Sequence, residues 1–116
     1  MRRGEIWWAR PEPSHGSEAD KTRPVVVVSR TMANQAALES GRGVVTVVPL
    51  TTNTKVIRPF QVLMPADAGT GLAEASKAQA EQIRAVGVSR LTQPIGLVDE
   101  SVMRSLEAAI RLHLGL

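Results

Sequence analysis

The chain has no cysteine, which removes disulfide staples, thiolate nucleophiles and cysteine-ligated zinc together. Its two histidines, His15 and His113, lie far apart, so a histidine-rich metal site is excluded as well. Neither a metal nor another cofactor is expected. No apolar run approaches the ~20 residues that cross a bilayer. At the start, Met1-Arg2-Arg3-Gly4-Glu5 is followed only by Ile6-Trp7-Trp8-Ala9 before Arg10, too short for a secretory signal core. The expectation is a cytoplasmic protein that makes no use of a membrane. Internal repeats and low-complexity tracts are also lacking.

What remains suffices for one core. A length of 116 residues, 43% of them hydrophobic, suits a single domain over 1–116 and argues against disorder. The net charge is +3, with 14 Lys and Arg against 11 Asp and Glu, and the pI is about 10.2. Arg2, Arg3, Arg10, Lys21, Arg23 and Arg30 crowd the first thirty residues, and Arg42, Lys55 and Arg58 fall near later turns. On charge alone, a solvated surface and a polyanion-binding face are equally good readings.

Local chemistry favours the second. Arg23-Pro24 stands between a polar stretch and the run Val25-Val26-Val27-Val28. Pro24 fixes its own φ and biases Arg23 toward extended backbone, while the β-branched valines specify a buried strand. The guanidinium is thereby mounted where a loop meets a stiff element, which suits phosphate recognition. A second strand, Val47-Val48-Pro49-Leu50, also runs into a hydroxyl-rich turn, Thr51-Thr52-Asn53. Together the two strand ends suggest a small site for a phosphodiester.

Short apolar segments separated by turn residues read as a strand-rich barrel or sandwich. Strands are expected at 5–9, 25–29, 44–49, 60–64 and 95–98, the second buried on both faces because it does not alternate. A short helix is expected over 31–40, with Thr31 as N-cap and Gly41-Arg42-Gly43 as its end. The connection 51–59 is long for a hairpin, and long loops in small domains often carry function. Segment 76–86 is ambiguous, since its Ala, Gln and Glu favour helix. A last helix is capped by Asp99, with Val102, Met103, Leu106, Ala109, Ile110 and His113 at helical spacing and Glu107 and Arg111 as an i,i+4 pair. Trp7 and Trp8 must point to opposite faces of a strand, one into the core and the other toward a base or a second subunit. Phe60 reads as core, and His15 as a surface loop residue.

Several ordered motifs carry a more specific likeness. Arg3-Gly4-Glu5-Ile6-Trp7, Gly16-Ser17-Glu18, Arg23-Pro24-Val25-Val26-Val27-Val28, Val48-Pro49-Leu50-Thr51-Thr52-Asn53, Pro59-Phe60-Gln61-Val62 and Ala80-Glu81-Gln82-Ile83-Arg84 closely resemble the MazF/PemK family of toxin endoribonucleases. The resemblance runs from the first strand to about Leu97. It implies a mainly β fold with short helices, an SH3-like small barrel of the MazF/CcdB kind with a C-terminal helix, and a strand within 76–86. It further implies a homodimer, metal-independent cleavage of single-stranded mRNA to 2′,3′-cyclic phosphate and 5′-hydroxyl ends, and inhibition by a cognate MazE-like antitoxin.

The resemblance also implies roles. Arg23 and Thr51 match the family's catalytic arginine and threonine; Arg23 would neutralise the developing dianionic phosphorane and Thr51 would hydrogen-bond a nonbridging oxygen. Glu18 matches an acidic loop residue able to accept the 2′-hydroxyl proton. Glu81 and Gln82 match an acid–Gln pair, Gln82 reading base edges and Glu81 either orienting Arg23 or serving as the alternative base. Lys21, Thr52, Asn53, Lys55 and Arg84 complete the expected RNA-binding set. One branch of the family has an arginine where this chain has Gln79, so a mechanism needing that second arginine lacks it here. Two rivals share the architecture: a CcdB-like topoisomerase poison, whose C-terminal Trp-Gly-Ile has no counterpart in His113-Leu114-Gly115-Leu116, and a non-catalytic RNA-binding barrel.

Overall fold

Branched side chains stiffen a strand and fill a pleated surface, and the valine-rich runs form the centre of an antiparallel sheet. The computed structural model describes residues 1–10 and 22–116. Its strands are β1 (Glu5–Ala9), β2 (Arg23–Val27), β3 (Val44–Thr51), β4 (Gln61–Met64), β5 (Ser76–Gln79), β6 (Arg84–Gly87) and β7 (Leu91–Leu97). Helix α1 (Thr31–Ser40) lies between β2 and β3, and α2 (Glu100–Leu114) follows β7. The sheet runs β4-β5-β3-β2-β1-β7. One edge of β3 is shared, its first half by β6 and its end by β5. The expected mainly β fold with short helices and a C-terminal helix is present, but β4 and β7 remain the two ends of the ladder, so the sheet is open rather than a closed barrel.

Both faces of the central strands are covered. Val25 and Val27 meet Val45, Val47 and Ala37 of α1 on one side. Val26 meets Ile6, Val48, Leu50 and the α2 residues Met103 and Leu106 on the other. The period of two along each strand assigns alternate residues to the two cores, which explains a valine run with no polar interruption.

Boundaries differ from expectation in instructive places. β2 begins at Arg23, so Arg23 and Pro24 belong to the strand and not to the preceding loop; a proline at a strand's start loses no obligatory ladder bond. Segment 76–86 divides into β5, a tight turn over Ala80–Gln82 and β6. Its helix propensity loses to the burial of Ser76, Ala78 and Ala80. Thr31 is the first residue of α1 rather than its cap, the N-cap being Arg30 without a side-chain bond; the Thr31 hydroxyl instead accepts the Arg3 backbone N–H at 3.0 Å. Glu107 pairs with Arg3 at 2.7 Å and not with Arg111. Phe60 belongs to neither core; it is half-buried, its ring centroid 6.3 Å from that of His113. Trp7 packs against the first core while Trp8 is 37% exposed, the opposed arrangement expected of strand neighbours.

Asp99 caps α2, accepting the Val102 N–H and the Ser101 hydroxyl at 2.9 Å each. The Val102 bond first, then Ser101, holds this carboxyl below its ordinary value. The cap is therefore complete at neutral pH, and its contribution disappears as the pH falls through that lowered value.

The turn over 65–71 docks on β7 through glycine. Leu97 donates to the Gly69 carbonyl at 2.9 Å, and a Cβ at Gly96 would collide with the carbonyl oxygens of Gly69 and Thr70. Gly96→Ala should cost about 1–3 kcal/mol, as overpacking against backbone does. In a thermal melt the expected loss is about 4 °C for each kcal/mol; an unchanged melting temperature would mean that this contact is not rigid.

Candidate active site

The register of β2 on β3 pairs Val25 with Pro49, Val26 with Val48 and Val27 with Val47. Arg23, the first residue of β2, and Thr51, the last of β3, each lie two residues beyond the final pair of that ladder, at the same end of the sheet. On its other edge Arg23 pairs with Ala9. Its face is that of Val25 and Trp7, since cross-strand partners share a face; Trp8, paired with Pro24, lies on the opposite face. The Arg23 side chain is exposed and makes no hydrogen bond or ion pair among the described residues. Its backbone is held by a stiff sheet while its five donors remain available.

Thr51 ends β3 half-buried and pairs with Lys77 of β5. Its Oγ1 accepts the Asn53 N–H at 3.3 Å, which leaves the hydroxyl proton free to donate. Beyond it, Thr52, Asn53 and Lys55 lie exposed in the β3–β4 loop, with Asn53 Oδ1 accepting the Lys55 N–H at 3.4 Å. The loop returns to the sheet at Gln61, whose Oε1 accepts the Arg58 N–H at 2.9 Å. Lys77 Nζ donates to the Val56 carbonyl at 2.6 Å.

Glu81 and Gln82 occupy the tight turn after β5. Glu81 does not orient Arg23: its Oε2 accepts from Gln61 Nε2 at 2.6 Å, and the only ion pair among the described residues is Arg3 with Glu107. Gln82 is exposed. Arg84 opens β6 opposite Val47, four residues along β3 from Thr51, roughly 13 Å at ~3.3 Å per residue. Glu18, Lys21 and His15 lie outside the described residues. Among the described residues no cluster of His, Asp and Glu has the makings of a metal site.

The strand ends thus bring together Arg23, Thr51, Lys77 and the base of the β3–β4 loop. An unengaged guanidinium beside a hydroxyl with a free proton is equipped to bind a phosphodiester and to stabilise added negative charge on it. Gln61 and Lys77 escaped the reading of the sequence. A glutamine inside the apolar strand Gln61–Met64 was the available signal for one; Lys77 was hidden in a segment whose propensity points to helix.

The chain matches known proteins over nearly its whole length. A family model described as the PemK-like, MazF-like toxin of type II toxin-antitoxin systems matches residues 2–114. The chain is 52% identical over 116 residues to endoribonuclease MazF9 of Mycobacterium tuberculosis, covering 100% of this chain and 98% of the relative. It is 30% identical over 112 residues to the endoribonuclease toxin MazF of Escherichia coli, covering 97% and 92%. Among solved structures, a MazE–MazF crystal structure from Deinococcus radiodurans superposes with a TM-score of 0.78 at 22% identity, covering 100% and 97% of the two chains. A mycobacterial endoribonuclease in complex with its cognate antitoxin superposes with a TM-score of 0.75 at 24% identity, covering 100% and 96%.

Proposed function

The chain belongs to the PemK-like, MazF-like family of type II toxin-antitoxin toxins and is an endoribonuclease of that family; from that premise we propose that it cuts single-stranded mRNA by using the RNA's own 2′-hydroxyl as nucleophile. The 2′-oxygen bonds to the adjacent phosphorus as its proton passes to a carboxylate, the role assigned to Glu18. The bond to the 5′-oxygen then breaks and that oxygen takes up a proton, leaving a 2′,3′-cyclic phosphate and a 5′-hydroxyl. Because the nucleophile resides in the substrate, the protein needs to supply only proton transfer and charge stabilisation, and no metal takes part.

The observation that supports this reading is the antiparallel pairing of β2 with β3, which leaves Arg23 and Thr51 as strand ends at the same end of the sheet. Arg23 stabilises the dianionic phosphorane electrostatically, by its fixed charge and its N–H donors rather than by giving up a proton. Thr51 donates to a nonbridging oxygen. Lys21, Thr52, Asn53, Lys55, Gln82 and Arg84 hold the strand on either side. The active species is a homodimer in the cytoplasm, silenced by a cognate MazE-like antitoxin whose acidic, extended segment lays carboxylates against Arg23 and the neighbouring cations. Two solved relatives are described as complexes with their antitoxins, which supports this partner. Neither a topoisomerase poison nor a passive RNA-binding barrel is favoured by the curated relatives, which are endoribonucleases.

Arg23 is exposed and without a partner among the described residues, so Arg23→Ala should leave stability within ~0.5 kcal/mol of the parent. The same variant should cleave about 10²–10³-fold more slowly, the usual loss on removing one preorganised donor to developing charge. Thr51→Val should also slow cleavage with little change in binding. The checks are a thermal melt and single-turnover cleavage of a fluorescent oligoribonucleotide. Near-normal cleavage by folded Arg23→Ala would move the active site elsewhere.

Cleavage should also proceed at full rate in excess EDTA. A chelator-abolished activity restored by one divalent ion would defeat the metal-free mechanism.

A further inference from the structure

Gln61 and Glu81 form a pair for which the cleavage chemistry has no use. Gln61 opens β4 opposite Gln79 of β5 and is buried. Both ends of its amide are committed: Nε2 donates to Glu81 Oε2 at 2.6 Å, and Oε1 accepts the Arg58 N–H of the β3–β4 loop at 2.9 Å. Glu81 Oε1 is itself buried and has no hydrogen-bond partner among the described residues. A carboxylate with one oxygen occupied and the other shut away from solvent is badly placed to take a proton from a bound hydroxyl. It is well placed to fix the orientation of an amide.

That amide governs a loop with a second brace. Lys77 Nζ holds the Val56 carbonyl at 2.6 Å, so residues 52–60 are pinned from β5 on one side and from Glu81 through Gln61 on the other. Between the two braces the loop presents Lys55 and Arg58 together with Val56 and Ile57, whose exposures are 51% and 42%. Two cations beside two exposed apolar side chains give a surface that meets both the backbone and the bases of a single strand. Held in one conformation, such a surface avoids the ordering cost that a free loop incurs on binding.

We propose that Glu81 is a positioning residue and not the general base: acting through Gln61, and with Lys77 as a second strut, it locks residues 52–60 in the conformation that reads RNA. This rests on the reading of the chain as an RNA endonuclease. Loosening the brace raises KM and broadens the cleaved sequence while the chemistry at Arg23 and Thr51 continues.

The test compares Gln61→Leu, Glu81→Leu, Glu81→Gln and Lys77→Met with the unaltered protein, using a fluorescent oligoribonucleotide for kinetics, sequencing of cut ends for motif, and amide hydrogen exchange at Arg58 for the loop. Gln61→Leu and Glu81→Leu should raise KM about tenfold, the cost of ordering a few loop residues at binding, with kcat within about threefold. Both should broaden the motif and speed Arg58 exchange. Glu81→Gln keeps an oxygen acceptor for Gln61 and should restore KM, motif and exchange toward the parent. Lys77→Met, which leaves the buried pair alone, should raise KM without altering the Arg58 amide. Loss of kcat in Glu81→Gln by about 10²-fold or more at unchanged KM would place Glu81 in the chemistry and overturn the proposal. So would faster Arg58 exchange with unaltered cleavage, or unaltered exchange in Glu81→Leu. Absence of RNA cleavage by the unaltered protein would instead overturn the endonuclease reading and this proposal with it.

Discussion

Everything at the candidate site depends on the pairing of β2 with β3. Val25, Val26 and Val27 are all buried, as are Val47 and Val48 opposite them. Slipping that register by one residue would send each valine to the wrong core, so the pairing is specified from both faces at once. Arg23 and Thr51 inherit their place at one end of the sheet from it, lying at the first strand's start and the second's end. A charge stabiliser is effective only if it is already in place when charge develops, and here the placement comes from apolar burial away from the reacting atoms. The energy that holds the site is therefore separable from the groups that would act in it.

A second layer of order surrounds the strand ends. The β3–β4 loop is long, yet side chains fasten it at Asn53, Val56 and Arg58. The fastening residues Gln61 and Lys77 come from β4 and β5, the outer strands of the sheet on that side. On the proposed reading, chemistry and recognition rest on different supports: the valine core for one, polar braces for the other.

The sequence made plain whatever depends on near neighbours in the chain. The bounds of β1 (Glu5–Ala9) and α1 (Thr31–Ser40) are legible because residues with clear turn chemistry flank them in the sequence, and Asp99 marks the start of its helix by the position of its carboxylate. The split of 76–86 was not readable from propensity, because Ala78 and Ala80 are buried by partners distant in sequence; only the likeness to known toxins indicated a strand there. Glu107 was matched to the cation one turn away, whereas folding brings Arg3 to it from 104 residues off. Arg23 and Thr51 stand at the ends of their own strands, a placement legible from local sequence. The Gln61–Glu81 bond joins residues 20 apart and has no local signature beyond a polar residue in an apolar strand.

The central claim is that the substrate supplies the nucleophile and the protein the charge. It is tested most directly with a series of oligoribonucleotides around one cleavage site, each with a single 2′-deoxy nucleotide, the product ends being read by mass spectrometry. Cleavage should vanish only when the 2′-hydroxyl next to the scissile phosphate is the one removed, and the all-ribose substrate should yield a 2′,3′-cyclic phosphate and a 5′-hydroxyl. Continued cutting at the deoxy position, or a 5′-phosphate on the product, would show that water attacks instead and would contradict the account.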